Sequence, residues 1–279
     1  MRIADTNRGA PHRSQRGFKL PVAIVLIYTA LLVLAPLLAI SWGALSNGIA
    51  ATLREITSPD ALHALRLTLL LGIAASGLNA VLGLLTAWVL VRHRFRGRAL
   101  LNALVDLPFA ISPVIAGLML ILLFGRQGWL KALPDALGIQ MVFALPGMLL
   151  ATVFVSLPFV VREVMPVLRH LGTEQEEAAY TLGATGWQTF WNVTLPAIRW
   201  GLLYGISLTF ARALGEFGAV LVVSGGVSGM TETATLFIFR SMDDRNYAAA
   251  YSMALVLALA SFGALILIEL SKKRTKQRG

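Results

Sequence analysis

Two oppositely charged residues in an otherwise uncharged stretch are the side chains best suited to act on an ion. Arg212 and Glu216 lie four positions apart in residues 201–223, and on a helix this spacing brings side chains within about 6 Å of each other. If this uncharged stretch spans a membrane, its charged residues must face protein or water, because exposing a charge to lipid is costly. Two interpretations stay open. The pair is a structural ion pair, or Arg212 lies on a permeation path and binds a passing anion transiently while Glu216 prevents tight trapping.

Asp106 and Ser112 are further candidates for such a path, because each lies near a proline, Pro108 or Pro113. Asp106 could cap interrupted backbone near Ser112, or it could pair with a neighbouring helix. Each proline taken alone predicts an ordinary kink, since proline removes one backbone donor.

The chain offers little for bond-making chemistry. It has no cysteine and only four scattered histidines, without an HExxH pattern, which predicts no metal site and no cysteine nucleophile. It also has no GxxxxGK[ST] phosphate loop, and no Gly-Lys pair at all. We therefore expect no catalytic residue and no cofactor in this chain.

The composition is that of an integral membrane protein. Of 279 residues 57% are hydrophobic and only 14% are charged, and the mean hydropathy is +0.73. Apolar runs of about 20 residues are long enough to cross a bilayer as helices, so we predict an all-α membrane fold. The six predicted spans are Leu20–Trp42, Leu67–Val91, Ala99–Phe124, Met141–Val161, Gly201–Val223 and Tyr247–Leu270. A stripe of small residues from Gly72 to Ala87 predicts close packing of the second span.

Basic residues are unevenly distributed among the connections. Of the 24 Lys and Arg residues, 17 lie in the two tails and in the second and fourth connections. Arg162 is counted with the fourth connection. By the positive-inside rule, this distribution predicts that both termini are cytoplasmic. The same rule accounts for the net charge of +10 without any nucleic-acid partner. We divide the chain into a basic tail (1–19), one transmembrane domain (20–270) and a second basic tail (271–279).

A polar insert at residues 173–196 interrupts the fourth connection. Thr173 with Glu176 and Thr185 with Gln188 each fit a capping box, which predicts two short helices, and Gly183 suits the turn between them. The second helix carries Trp187, Phe190 and Trp191 and is expected to end at Pro196. Such a unit either rests its aromatic side chains in the lipid interface or docks in a groove of a partner protein.

A family resemblance favours docking. Glu177-Ala178-Ala179, Gly183 and Leu195-Pro196, with Val193 where isoleucine is usual, resemble the EAA-x3-G-x9-I-x-LP motif of the MetI-like, binding-protein-dependent ABC importer permeases. The resemblance implies that these residues couple the chain to an ATPase, chiefly through Glu177 and Gly183. It also implies the six-helix fold of that family.

Two further segments, Asp106–Leu118 and Ala211–Gly225, resemble the sulfate and thiosulfate importer permeases. Ile111-Ser112-Pro113 is closer to the W-type subunit than to the T-type, which tends to have LPT there. The resemblance implies a bacterial inner-membrane permease that is not itself an enzyme. Its implied partners are a homologous T-type permease, a homodimeric cytoplasmic ATPase that binds ATP and magnesium, and an extracytoplasmic sulfate/thiosulfate-binding protein.

Three alternatives stay open at this point. Molybdate permeases share part of the pattern, so another oxyanion is the nearest alternative. An anion transporter driven by an ion gradient would use Arg212 and Glu216 but leaves the EAA-like segment unexplained. A membrane enzyme acting on lipid would need clustered His, Asp or Glu residues, which the sequence does not assemble.

Overall fold

A computed structural model describes residues 19–276, which fold into α-helices joined by short connections, with no strand in that range. The helices are α1 (Lys19–Leu45), α2 (Ile49–Ile56), α3 (Pro59–Arg92), α4 (Arg98–Ala110), α5 (Pro113–Phe124), α6 (Ala132–Ala136), α7 (Leu145–Leu171), α8 (Glu174–Thr181), α9 (Gly186–Thr189), α10 (Leu195–Leu214), α11 (Gly218–Ser224), α12 (Ala234–Asp243) and α13 (Tyr247–Lys276). A π-helical turn, Phe190–Thr194, joins α9 to α10. Most of the predicted tails, at 1–18 and 277–279, lies outside the described residues.

Between residues 19 and 276, five helical segments are long and apolar enough to span a membrane, and the α4–α5 pair makes a sixth candidate. This agrees with the six predicted spans in number and, for four of them, in approximate position. The other two, the third and the fifth, differ from the prediction in shape.

The third span is not one kinked helix. α4 and α5 meet at an angle of 117°, and the two residues between them, Ile111 and Ser112, are both extended. Proline disfavours helical backbone at the residue before it, so Pro113 forces Ser112 out of the helix and begins a new helix itself. Pro108, by contrast, lies inside α4, which continues past it to Ala110.

The fifth span begins and ends earlier than predicted. The chain is helical from Gly186 to Leu214, so the expected stop at Pro196 was wrong. In the π-helical turn the amide of Leu195 bonds to the carbonyl of Phe190, five residues earlier. This wider turn leaves room for the proline ring, which would otherwise meet the carbonyl one ordinary turn back. A second interruption, residues 215–217, then separates α10 from α11.

The bundle core lies among α3, α7 and α10, where small residues allow close contact. A Cβ on Gly83 of α3 would lie only 2.8 Å from the Cβ of Val160 on α7, and one on Gly205 of α10 would lie 2.9 Å from the Cα of Val160. The prediction of close packing around the small-residue stripe is confirmed. We call the end of the bundle that carries α8 and α9 the insert end, and the opposite end, with α2 and α12, the far end.

Candidate coupling surface and membrane ion pairs

The helix α8 projects from the bundle with most of its surface uncovered. Glu177 and Ala178 are exposed, Ala179 is half-buried and Gly183 is exposed. Beside them Leu182 is 89% exposed and Trp187 is 71% exposed. Leu182 lies outside the membrane spans, where a large exposed apolar side chain beside small ones is typical of a protein-docking surface.

Gly183 ends α8 in a Schellman motif. Its amide bonds to the carbonyl of Tyr180 at 3.0 Å, the amide of Ala184 bonds to the carbonyl of Ala179 at 3.0 Å, and Gly183 has a φ of +85°. Only glycine adopts this left-handed backbone without strain. The predicted turn is confirmed, and its geometry explains the glycine.

The capping box predicted at Thr173 does not form. The Thr173 side chain caps no backbone amide and instead donates to the Oε1 of Glu177 at 2.6 Å. Glu176, which was expected to complete the box, is turned into the protein, where it binds Arg92. The charge of a nearby arginine therefore outweighs a local capping bond.

The second capping box is present as predicted. The amide of Gln188 donates to Thr185 Oγ1, and the amide of Thr185 donates to Gln188 Oε1. The aromatic residues that follow pack on each other, with the rings of Trp187 and Trp191 5.5 Å apart. Leu195 and Pro196, the last part of the EAA-like segment, lie in the first turn of α10 rather than on the exposed helix, and Leu195 packs against the bundle core.

A buried ion pair at the base of α8 was not predicted. The Nη2 of Arg92 donates to Glu176 Oε1 at 3.0 Å and to the carbonyl of Gly172 at 2.7 Å, and its Nη1 donates to the carbonyl of Leu168. Thr194 of the π-helical turn donates to the same Glu176 oxygen at 2.8 Å. In the sequence Arg92 is one of several arginines that topology alone explains, so no local signal separates it from them.

Arg212 and Glu216 form the expected ion pair, with Nη1 2.7 Å from Oε2. The assumption of one continuous helix was wrong, because α10 ends at Leu214 and Glu216 lies in the interruption. The Glu216 carboxylate also accepts from the amide of Ala219 at 3.0 Å, in the first turn of α11. The glutamate side chain is 3% exposed and the arginine side chain 32%.

Asp106 pairs with a neighbouring helix, which was one of its two expected roles. Its partner is Arg162, whose Nε donates to Asp106 Oδ1 at 2.7 Å and whose Nη2 reaches the second oxygen. Arg162 also donates to Asn102 Oδ1. The prediction that Arg162 lies in the fourth connection was wrong, because α7 continues to Leu171 and carries this arginine inside the span. The apolar run appeared to end at this arginine only because the pairing that offsets its charge is not visible in sequence.

The two interrupted segments lie against each other. A Cβ on Gly218, the first residue of α11, would lie 3.1 Å from the Cβ of Pro113 and 3.2 Å from Val114, the first residues of α5. Ser112 is exposed at this junction and its side chain caps no amide. The structure thus brings Ser112 and Glu216 to neighbouring breaks, while Asp106 pairs separately with α7.

An ionic cluster occupies the far end. Arg240 of α12 donates through Nε to Glu232 Oε1 at 2.6 Å, with Asp60 and Asp244 each within 4 Å. The hydrogen bond that Arg240 donates to Glu232 is the main cause of the raised pKa of Arg240, and it outweighs the lowering by burial. Glu232 is 1% exposed, so this cluster ties the connection before α12 to the start of α3. Within the described residues no group of three or more His, Asp or Glu side chains could hold a metal ion.

Known proteins similar to this chain are membrane transport proteins. Residues 79–277 match the family described as "Binding-protein-dependent transport system inner membrane component". The chain is 49% identical to the sulfate transport system permease protein CysW of Synechocystis sp., over 91% of this chain and 92% of the relative. It is 42% identical to CysT of Escherichia coli K12, over 94% and 95%. The crystal structure of a bacterial alginate ABC transporter in complex with an alginate-pentasaccharide-bound periplasmic protein has a chain of the same fold, with a TM-score of 0.75 at 16% identity over 93% and 96% of the two chains.

Proposed function

Because this chain belongs to the family of binding-protein-dependent transport system inner membrane components, we propose that α8 couples it to an ATPase and that Arg212 lines its anion path. The chain is a permease subunit of a sulfate ABC importer and not an enzyme, as its resemblance to sulfate permeases over most of its length indicates. An importer of another oxyanion and a transporter driven by an ion gradient are not favoured. Thiosulfate is proposed as a second substrate.

The exposure of α8 is the observation that carries the coupling role. Leu182 would be poorly placed in water if α8 had no partner, and Ala178 leaves the adjoining face smooth enough for a groove. Gly183 fixes the angle at which this surface is presented. An ABC ATPase dimer, which would bind the ATP and magnesium, is the proposed partner, with Glu177 to Gly183 as the docking helix.

We place the insert end in the cytoplasm of a bacterial cell, with the chain in the inner membrane. The excess of Lys and Arg in the tails and in the connections at this end supports that orientation. Both termini would then be cytoplasmic. The far end would face the extracytoplasmic sulfate- or thiosulfate-binding protein.

The proposed anion path follows the face where helices are interrupted. Broken backbone at membrane depth is tolerated where it is buried in protein or lines a water-filled cavity, and the α4–α5 and α10–α11 breaks adjoin each other. Arg212 is partly exposed beside them, held by a buried carboxylate. An anion at this face would meet one positive charge that is already partly neutralised, which favours entry without tight trapping. Asp106 and Ser112 are the other proposed path residues.

In the proposed cycle this chain pairs with a homologous T-type permease, and two ATPase subunits sit beneath them. ATP binding closes the ATPase dimer and draws together the docking helix of this chain and the equivalent helix of the T-type permease. The bundle then changes from inward to outward access, the binding protein delivers the anion, and hydrolysis reverses the change. The permease needs no covalent chemistry and holds no cofactor of its own.

Sulfate uptake in cells that lack this chain tests the proposal, with Leu182→Asp as the main variant. Leu182 is 89% exposed, so the substitution should leave the fold intact, and a charge there should abolish both uptake and co-purification of the ATPase. Leu137→Asp is the matched control, since Leu137 is a 71% exposed leucine that follows α6 outside the insert; it should retain the ATPase. Retention of the ATPase and of normal uptake by Leu182→Asp would refute the docking role. Unchanged uptake after deletion of the whole chain, with no parallel sulfate route, would refute sulfate as the substrate.

A further inference from the structure

The buried pair Arg92–Glu176, which we call the Arg92–Glu176 clamp, joins four elements through the hydrogen bonds that its two side chains make. Arg92 is the last residue of α3, and its guanidinium also bonds to the Leu168 and Gly172 carbonyls at the end of α7. Glu176 belongs to α8 and also accepts from Thr194, directly before α10. These bonds make the clamp the meeting point of α3, α7, α8 and α10.

The dipoles of α7 and α8 stabilise the charges of Arg92 and Glu176. The last carbonyls of α7 carry partial negative charge and face the guanidinium, while Glu176 lies in the first turn of α8, where the free amides carry partial positive charge. The side chains of Arg92 and Glu176 are only 10% and 12% exposed, so solvent and salt screen them weakly. Removing either partner would leave a buried charge unpaired, which costs more than breaking a surface ion pair.

The clamp is also the main side-chain anchor of α8. Within this helix, all of which the structure describes, Glu176 is the only buried residue. The residues on the other faces, including Glu177 and Ala178, are exposed. Without the Glu176 contact, α8 would be connected to the bundle chiefly through the backbone at Gly172 and Gly183, two glycines with positive φ.

From this arrangement we propose that Arg92 and Glu176 are positioning residues that make α8 move as one body with the ends of α3, α7 and α10. This inference rests on the proposed coupling role of α8. The docking surface and the clamp use different residues of the same helix, so the two functions are separable. Loss of the clamp leaves an α8 that still binds the ATPase but moves without carrying the bundle with it.

The experiment compares ATP hydrolysed per sulfate imported in proteoliposomes that contain the complete transporter with its binding protein. Glu176→Gln keeps the shape and the acceptor for Thr194 but removes the charge, Arg92→Gln removes the guanidinium, and Arg92→Lys keeps the charge without the forked geometry. We expect Glu176→Gln and Arg92→Gln to retain a normal amount of ATPase subunit and to raise the ATP/sulfate ratio at least tenfold, with Arg92→Lys between them and the wild type. Lys131→Ala, which breaks the exposed pair with Asp135 in the connection after α5, should leave the ratio unchanged.

Four results would overturn the proposal, and the last of them would overturn the proposed function as well. An unchanged ratio, or a parallel fall of uptake and hydrolysis, would mean that the clamp does not transmit motion. Loss of the ATPase subunit from the variants would mean that the pair only supports the docking surface. If the wild-type complex itself fails to import sulfate at the expense of ATP, the proposed function fails, and the clamp proposal fails with it.

Discussion

The two charges at the α10–α11 interruption differ strongly in exposure, and this difference predicts unequal effects of neutralising them. Glu216 is 3% exposed, whereas Arg212 is 32% exposed. Arg212→Gln leaves a buried carboxylate without its counter-charge. Glu216→Gln leaves an arginine that still reaches solvent, and the glutamine oxygen can still accept from the amide of Ala219.

The magnitudes follow from the cost of unpaired buried charge. Breaking a buried ion pair by removing one partner costs about 3–5 kcal/mol, and Arg212→Gln should approach that range. Glu216→Gln should cost less, about 1.5–3 kcal/mol, comparable to the loss of a hydrogen bond to a charged group. The double substitution Arg212→Gln/Glu216→Gln removes both charges and should restore most of the stability, since no uncompensated charge remains.

Stability and transport measured on the same three variants separate a structural role from a role in the path. Thermal unfolding of the purified protein should rank the wild type and the double variant above Glu216→Gln, with Arg212→Gln lowest. Sulfate uptake should be reduced more than tenfold in every variant that lacks Arg212, including the stable double variant. Glu216→Gln should lower both KM and the maximal rate, because an arginine without its carboxylate holds the anion longer.

Wild-type uptake by the stable double variant would refute the path role of Arg212 and leave the pair purely structural. Equal loss of stability in the two single variants would refute the argument from burial. Either result is informative by itself, because the first concerns function and the second concerns the energetics of the fold.

Three further predictions concern other parts of the bundle. Gly83→Ala places a Cβ 2.8 Å from that of Val160 and should destabilise the protein by about 1–3 kcal/mol. Gly77→Ala in the same helix is the control, because its Cβ meets nothing within 4 Å, and it should be neutral or slightly stabilising. Equal melting temperatures of the two variants would contradict this prediction. Arg162→Gln should destabilise less than Arg212→Gln, because its partner Asp106 is 45% exposed, and thermal unfolding compares the two. Glu232→Gln should lower the melting temperature by weakening the Arg240 cluster. The loss should be the same across the neutral pH range, because an arginine is charged there even at its ordinary pKa and Glu232 raises the pKa of Arg240 further; a drop confined to one side of neutrality would refute it.

Features that depend on residues close in sequence were predictable. The apolar runs indicated the spans because roughly 20 apolar residues suffice to cross a bilayer. The Thr185–Gln188 capping box and the turn at Gly183 depend on backbone groups within a few residues, and both are confirmed. The pairing of Arg212 with Glu216 also survives, even though the helix expected to hold them ends between them.

Features that depend on partners distant in sequence were not predictable in the same way. Thr173 and Glu176 satisfy the local pattern of a capping box, but Glu176 is drawn instead to Arg92, 84 positions earlier. Arg162 appeared to end a span because its partner Asp106 lies 56 positions away. The break at Ser112 and Pro113 was underestimated for a related reason. A proline gives a local tendency to bend, but the 117° angle requires the packing of α5 on α11 that only the folded bundle supplies.

The helix register relates the two arginine–carboxylate pairs to each other. Gly205 of α10 packs on Val160 of α7, and Gly201 packs on Val167, so Arg162 lies at roughly the level of these glycines. Arg212 is seven residues beyond Gly205, which at 1.5 Å per residue is about 10 Å nearer the far end. The pair nearer the insert end has an exposed carboxylate, and the pair nearer the far end has a buried one. An anion that enters the proposed path from the far end would therefore meet Arg212, whose counter-charge is hidden, before it reached the level of Arg162.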